Sequence, residues 1–91
     1  MSYTLEVPKR FKKSLARCLK RGLDENRFKE VIRTLVNGEP LPDRYRAHKL
    51  SGKYAGCWEC HIQPDWLLIW MQNDEKLILV LIDTGSHSDL F

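Results

Sequence analysis

The chain contains three histidines, and all of them lie in its second half beside signals for turns or strand ends: His48, His61 and His87. Histidine is the side chain best suited to moving protons near neutral pH. Asp65 follows His61 closely, and a carboxylate at that distance can orient or charge an imidazole. Singly, each histidine is more typical of a polar surface position, and Asp65 beside Pro64 is more typical of a turn. Together, these residues predict a site for proton-transfer chemistry.

The charge of the chain is strongly uneven. Up to Lys53 the sequence has 14 lysines and arginines against 6 acidic residues, and from Tyr54 onward it has 1 against 6. A basic half favours an anionic partner, either nucleic acid or an acidic protein, although solvated helix faces explain the pattern equally well. Cations interleaved with aromatic rings suit an RNA backbone and its bases. The RNA-binding candidates are Arg44, Arg46, Lys49, Lys53 and the terminal Phe91, whose ring either packs on the core or stacks on a base.

Imidazoles and a carboxylate around a basic cleft are suited to cleaving RNA without a metal ion. One group removes the proton of the 2′-hydroxyl, which attacks its own 3′-phosphate, and another protonates the departing 5′-oxygen. Cations stabilise the charge that builds on the phosphorane. DNA lacks the 2′-hydroxyl and would be spared. The predicted catalytic residues are His48, His61, Asp65 and His87, with no cofactor and no metal.

The segment from Cys57 to His61 matches the Cys-x-x-Cys-His pattern of haem attachment. On a strand, however, side chains alternate between faces, so Cys57 and Cys60 would point to opposite sides of the sheet and could not hold one metal or haem together. The sequence also has only one further cysteine. We therefore interpret Cys60 as a core residue beside Trp58 and Ile62. With no export signal, the cysteines are expected to be reduced thiols.

Hydrophobic periodicity predicts two helices and four strands. One helix lies between Pro8, which suits a first turn, and Gly22. The second begins after the N-cap candidate Asp24 and ends at Asn37 and Gly38. The strand segments are residues 3–7, 57–62, 66–72 and 77–82. Residues 39–54 form a long loop between the helices and the last three strands, and loops of that length are often functional.

These elements predict an α+β fold in the order β-α-α-β-β-β. The short connection between the helices favours an antiparallel hairpin packed on one face of a mostly antiparallel four-stranded sheet. The apolar last strand belongs inside the sheet. The 91 residues suffice for one domain, residues 1–91, with one core. The histidines would then meet in a cleft on the helix-free face.

Three segments resemble YafQ-type toxins of the RelE superfamily: residues 45–52, 59–70 and 84–91. The patterns His-x-x-Pro-Asp-Trp and Gly-Ser-His-x-x-Leu-Phe are specific in combination, and the similarity extends over essentially the whole chain. Such proteins are bacterial mRNA interferases of type II toxin–antitoxin systems. The resemblance implies a RelE-type fold, metal-independent cleavage of mRNA in the ribosomal A site, and a co-encoded antitoxin. The absence of an apolar signal or membrane-length segment predicts a cytoplasmic protein without a membrane partner, and we expect the free toxin to be monomeric.

The resemblance also implies roles for individual residues. His87 would act as acid or base near the leaving group, while His48 and Asp65 would share the complementary proton transfer. His61 would support the phosphate, and Phe91 would stack on or position a base.

One position departs from the family pattern. Many relatives carry an arginine just before the Thr-Gly turn, where this chain has Asp83. A carboxylate there repels a phosphate, and the loss of one preorganised charge donor typically costs about 10²–10³ in rate. The sequence therefore predicts an attenuated enzyme, unless Arg46, Lys49 or Lys53 supplies the cation. The alternatives are a non-catalytic RNA- or ribosome-binding module and a purely protein-binding role for the basic helices.

Overall fold

The computed structural model describes residues 2–91 and has the predicted order of elements with two short additions. The additions are a two-residue strand and a one-turn C-terminal helix. In chain order the elements are β1 (Thr4–Glu6), α1 (Lys9–Lys20), α2 (Glu25–Val36), β2 (His48–Lys49), β3 (Trp58–Gln63), β4 (Trp66–Asn73), β5 (Ile78–Gly85) and α3 (His87–Leu90). None of the helices in residues 2–91 is long and apolar enough to cross a bilayer.

The strands form one sheet in the order β1-β5-β4-β3-β2. β1 is parallel to β5, and the other pairs are antiparallel. The α+β class and the interior position of β5 are confirmed. The sheet has a fifth strand because β2, within the predicted loop, pairs with β3 and sets His48 opposite Glu59. Two single 3-10 turns, Asp43–Tyr45 and Gly52–Tyr54, shape the rest of that loop.

The helical hairpin packs on one face of the sheet and forms the main core. Phe11 of α1 and Phe28 of α2 stack at 6.1 Å, and Phe28 stacks in turn on Trp66 of β4 at 6.1 Å. The predicted N-cap of α2 is confirmed, since the Asp24 carboxylate accepts a hydrogen bond from the Asn26 amide at 2.9 Å. α1 begins one residue after Pro8, which is its N-cap.

The other face of the sheet, which was predicted to be free of helices, is partly covered by α3. Leu67 and Ile69 of β4 are fully buried there against Cys57 and Leu90. The physical reason is the apolar run of β4, which presents large side chains to both faces and must be covered on both. Cys57 and Cys60 lie in separate apolar clusters, as strand alternation predicted.

The C-terminal segment turns later than the sequence predicted. β5 continues to Gly85 instead of ending at Ile82, and His87 begins the one-turn helix α3. Ser86 caps this helix, because its hydroxyl accepts from the Asp89 amide while the Asp89 carboxylate accepts from the Ser86 amide. A Cβ at Gly85 would lie 2.8 Å from the Asp89 side chain, so glycine is needed for this close approach.

Candidate active site

The three histidine rings form a row, here called the histidine row, with His61 in the middle. The ring centroids of His48 and His61 are 6.5 Å apart, and those of His61 and His87 are 5.7 Å apart. β2 supplies the first ring, β3 the second, and α3 the third. Residues far apart in the sequence thus converge, as the sequence predicted.

Asp65 holds His87 in place. A single carboxylate oxygen, Oδ1, accepts the backbone N–H of His87 at 2.9 Å and lies 2.6 Å from its ring Nδ1. These two hydrogen bonds keep the pKa of Asp65 below its ordinary value, so the group is ionised at neutral pH. An ionised carboxylate can only accept, which places a proton on Nδ1 and leaves Nε2 to exchange protons.

Glu59 also belongs to the site, although it was not among the predicted catalytic residues. The residue is 5% exposed, and its Oε1 lies 3.3 Å from His48 Nε2 and 3.9 Å from His61 Nε2. Its other oxygen, Oε2, is buried and has no hydrogen-bond partner among the described residues. A buried anion is costly unless a positive charge lies nearby. Strand alternation puts residues 59 and 61 on one face, and that signal could have identified Glu59.

The backbone before β2 fixes His48. Its ring Nδ1 lies 2.7 Å from the carbonyl oxygen of Arg46, which must accept, so Nδ1 carries a proton. Arg46 ends the Asp43–Tyr45 turn with a φ of 52°, in the left-handed region that a residue with a side chain rarely adopts. The loop conformation therefore directs the second ring nitrogen of His48 towards Glu59.

A hollow of about 430 Å³ opens beside the middle of the histidine row. It is called the arginine hollow below, and its lining residues are Arg27, Arg44, Tyr45, Arg46, His61, Ile62, Gln63 and Pro64. Two predicted RNA-binding residues, Arg44 and Arg46, lie here, whereas Arg27 of α2 was not anticipated. Arg44 donates to Glu30 at 3.2 Å and lies 4.9 Å over the Tyr45 ring, so its charge is already partly balanced.

The remaining RNA-binding candidates lie in two other places. Lys53 lies 5.3 Å over the ring of Tyr54, and the rings of Tyr54 and Phe91 pack almost at right angles with their centroids 5.7 Å apart. Phe91 nevertheless stays 64% exposed and leaves much of its ring free. The side chain of Lys49 points away from the histidine row, because Lys49 follows His48 on a strand and neighbouring side chains point to opposite faces. Its Nζ lies 5.6 Å from the centre of the Trp58 ring.

Asp83 faces α1. The residue is 7% exposed, its Oδ2 lies 3.7 Å from an Arg10 nitrogen, and its Oδ1 accepts from the Thr84 amide at 2.9 Å. It borders a hollow of about 540 Å³ that is lined by Lys9, Arg10, Lys13, Ser14, Arg17, Asp83 and Asp89. The carboxylate that was expected to oppose a phosphate therefore lies among cations of the first helix.

The cysteines do not form a metal or haem site in the part of the chain that the structure describes. All three are free and buried, and burial raises the pKa of the Cys60 thiol to about 12. A thiol is a ligand only after it loses its proton, so Cys60 is unsuited to the task. Within residues 2–91 no three histidine, cysteine or acidic side chains are arranged to hold a metal ion.

Comparison with known proteins gives a near-complete match. The sequence profile of YafQ, described as a bacterial toxin of a type II toxin–antitoxin system, matches residues 3–91. The mRNA interferase toxin YafQ of Escherichia coli strain K12 is 34% identical over 88 residues, covering 96% of this chain and 94% of the relative.

Solved structures share the fold over the whole chain. The match to the Escherichia coli DinJ–YafQ toxin–antitoxin complex has a TM-score of 0.89 at 33% identity, covering 100% of this chain and 99% of the other. A copper-bound mutant toxin from Helicobacter pylori matches with a TM-score of 0.88 at 40% identity over 100% of both chains. These matches define the class of protein, a bacterial toxin of type II toxin–antitoxin systems. Within that class the chain belongs to the YafQ family, which confirms the resemblance found in the sequence.

Proposed function

We propose that this chain is a ribosome-dependent endoribonuclease that cleaves mRNA by attack of a 2′-hydroxyl on the adjacent phosphate. The observation that carries the proposal is the histidine row, in which an ionised Asp65 orients His87 beside two further imidazoles. The name of the Escherichia coli relative, an mRNA interferase, supports the same reaction class. Inhibition of translation in the bacterial cytoplasm would follow from loss of message.

His87 acts as the general base in this proposal. Nδ1–H donates to Asp65, so Nε2 is free to take the proton of the 2′-hydroxyl, and the carboxylate stabilises the imidazolium that forms. The 2′-oxygen then bonds to phosphorus, and the bond from phosphorus to the 5′-oxygen breaks. This arrangement differs from the one implied by the resemblance, in which Asp65 worked with His48.

His48 acts as the general acid. Both of its ring nitrogens face acceptors, the Arg46 carbonyl and the Glu59 carboxylate, and a protonated ring suits both. It gives its proton to the departing 5′-oxygen, which leaves a 2′,3′-cyclic phosphate and a 5′-hydroxyl. His61 lies between His87 and His48. Together with His48, whose ring contacts the Glu59 carboxylate, it stabilises the negative charge of the phosphorane. No step requires a metal ion or cofactor.

The surfaces around the row bind the message. Arg44 and Arg46 lie beside His61 and contact phosphates, and Lys53 adds charge near α3. The exposed ring of Phe91, which packs against Tyr54 in a T-shaped pair, stacks on a base. The partners are mRNA in the ribosomal A site and a cognate antitoxin, by analogy with the DinJ–YafQ complex. The free toxin is proposed to be a monomer.

The most useful test is induced expression with primer extension to map new message ends. Wild type is expected to create such ends and to arrest growth, whereas His87→Ala removes the base and should do neither. Glu75→Ala, an exposed change in the turn between β4 and β5, is the matched control and should behave as wild type. New ends in cells expressing His87→Ala would contradict the proposed chemistry.

A second candidate is a non-catalytic module that binds RNA, the ribosome or an acidic protein. The observation that favours it is Asp83, a carboxylate near the end of β5 at a position where the resemblance implies an arginine. This candidate predicts that His87→Ala retains growth inhibition and RNA binding. The catalytic proposal predicts that inhibition is lost while binding survives.

A further inference from the structure

The arginine hollow is built by three separate parts of the fold. Arg27 comes from α2, Arg44 to Arg46 come from the loop before β2, and His61 to Pro64 come from the end of β3. Because His61 belongs to both the hollow and the histidine row, the hollow directly adjoins the proposed reaction site. Its volume of about 430 Å³ lies in the range of small-ligand sites.

The hollow carries a positive charge that the described residues only partly balance. Arg44 is bonded to Glu30 at 3.2 Å, and Arg27 Nε lies 3.8 Å from Asp24 Oδ2. Neither carboxylate lines the hollow. Arg46 has no acidic partner within 4.0 Å in residues 2–91, so its guanidinium is available to an anion.

The position of Arg46 is fixed by the same contact that fixes His48. Its carbonyl accepts from the His48 ring, and its backbone has the left-handed φ of 52°. Such a conformation is unfavourable for a residue with a side chain and persists only where the surrounding structure enforces it. The loop therefore fixes the Arg46 backbone and the His48 ring relative to each other, and the Arg46 side chain extends from this fixed point into the lining of the hollow.

We propose that the arginine hollow binds the phosphate of the nucleotide next to the scissile one in single-stranded RNA, with Arg46 and Arg27 as its ligands. Guanidinium groups match phosphate oxygens in geometry and charge, and contacts of this kind position a strand without reading its sequence. This inference deepens the proposed function and relies on it for the location of the scissile phosphate.

The test separates binding from cleavage by using a short RNA that carries a 2′-O-methyl group at the cleavage site. Arg27→Gln and Arg46→Gln should each raise Kd by about 5–20-fold and should lower the slope of log Kd against log salt by about one. The matched control is Arg33→Gln, an exposed change on α2 outside the hollow, whose Kd should stay at the wild-type value.

A dinucleotide that contains only the scissile phosphate gives the sharper comparison. It has no neighbouring phosphate, so Arg27→Gln should bind it as wild type does. The proposal would be overturned if Arg27→Gln weakened binding equally for the longer RNA and the dinucleotide. It would also be overturned if both hollow variants bound the longer RNA with the wild-type Kd. The proposal would likewise be overturned if the two variants weakened only antitoxin binding, because the hollow would then be a protein-binding surface.

Failure of the proposed function has a different signature. If wild type cleaves no message but still binds the blocked RNA through Arg27 and Arg46, the chemistry fails and the subsite stands. If wild type cleaves and the hollow variants bind the longer RNA normally, the chemistry stands and the subsite fails.

Discussion

At the scale of single residues, two carboxylates determine what the histidines can do. Asp65 is exposed, ionised and hydrogen-bonded twice to His87, so it fixes one tautomer and one ring orientation. Glu59 is buried, contacts two imidazoles and leaves one oxygen without a hydrogen bond among the described residues. The Asp65 carboxylate orients His87 as a base, and the buried Glu59 carboxylate favours a positive charge on a neighbouring imidazole.

Glu59→Gln tests the second role. The substitution keeps the shape of the side chain but removes the charge beside His48 and His61, so single-turnover cleavage should slow by about 10–100-fold. Stability should not fall, because the variant removes a buried charge that has an unsatisfied oxygen. Cleavage assays and thermal unfolding check the two expectations. A rate equal to that of wild type would show that Glu59 has no part in the reaction.

Asp83→Arg tests whether this chain is attenuated. Placing at this position the cation that the family resemblance implies should speed cleavage of ribosome-bound message. The structure adds a cost, because the new side chain would replace the partner of Arg10 and lie near Lys13 and Arg17. The variant should therefore be less stable by about 1–2 kcal/mol. An unchanged or slower rate, measured on folded protein, would contradict the attenuation hypothesis.

At the scale of elements, the four-residue helix α3 depends on α1 for its position. Arg21 donates two hydrogen bonds to the Asp89 carboxylate, at 2.6 and 3.1 Å, and Asp89 also caps α3. Arg21 and the Ser86 amide hold the pKa of Asp89 well below its ordinary value. Because His87 is the first residue of α3, this ion pair indirectly positions the proposed base.

Arg21→Gln should lower the thermal midpoint at neutral pH by about 3–5 °C. The pKa of Asp89 is lower in the folded chain than in the unfolded one, so its contribution is complete above the ordinary value of 3.8 and disappears as pH falls through the folded value. The difference between variant and wild type should therefore shrink below pH 3.8. Thermal unfolding from pH 7 to pH 2 measures it, and a difference that does not change with pH would contradict this account. Lys20→Gln, at the last residue of α1 and next to Arg21, is the control.

The two long helices and the strands β1, β3, β4 and β5 could be predicted from the sequence, whereas β2 and α3 could not. Local signals predicted these elements correctly. They are the apolar spacing of α1 and α2, the Asp24 N-cap, and the strand alternation that separates Cys57 from Cys60. β2 has two residues and exists only through its pairing with β3, while α3 depends on Arg21 and Gly85. Such elements are stabilised by partners distant in the sequence, which a local pattern does not contain.

At the scale of the whole molecule, the fold concentrates the proposed site at one end of the sheet. The histidine row draws on β2, β3 and α3, and the arginine hollow adds α2 to the same region. The convergence of the histidines was predicted because each lies near a strand end. The register of β2 against β3 places Glu59 next to the rings of His48 and His61 and directs Lys49 away from them. Only the structure gives this register.

The proposed reaction requires the 2′-hydroxyl of the message to attack its own phosphate at the histidine row. The most direct measurement uses ribosome-bound mRNA with a single 2′-deoxy nucleotide at the mapped cleavage position. We predict that unmodified message is cut to a 2′,3′-cyclic phosphate and a 5′-hydroxyl, and that the single deoxy substitution abolishes that cut. Continued cutting of the deoxy message at the same phosphate would mean that water is the nucleophile, and would contradict the account.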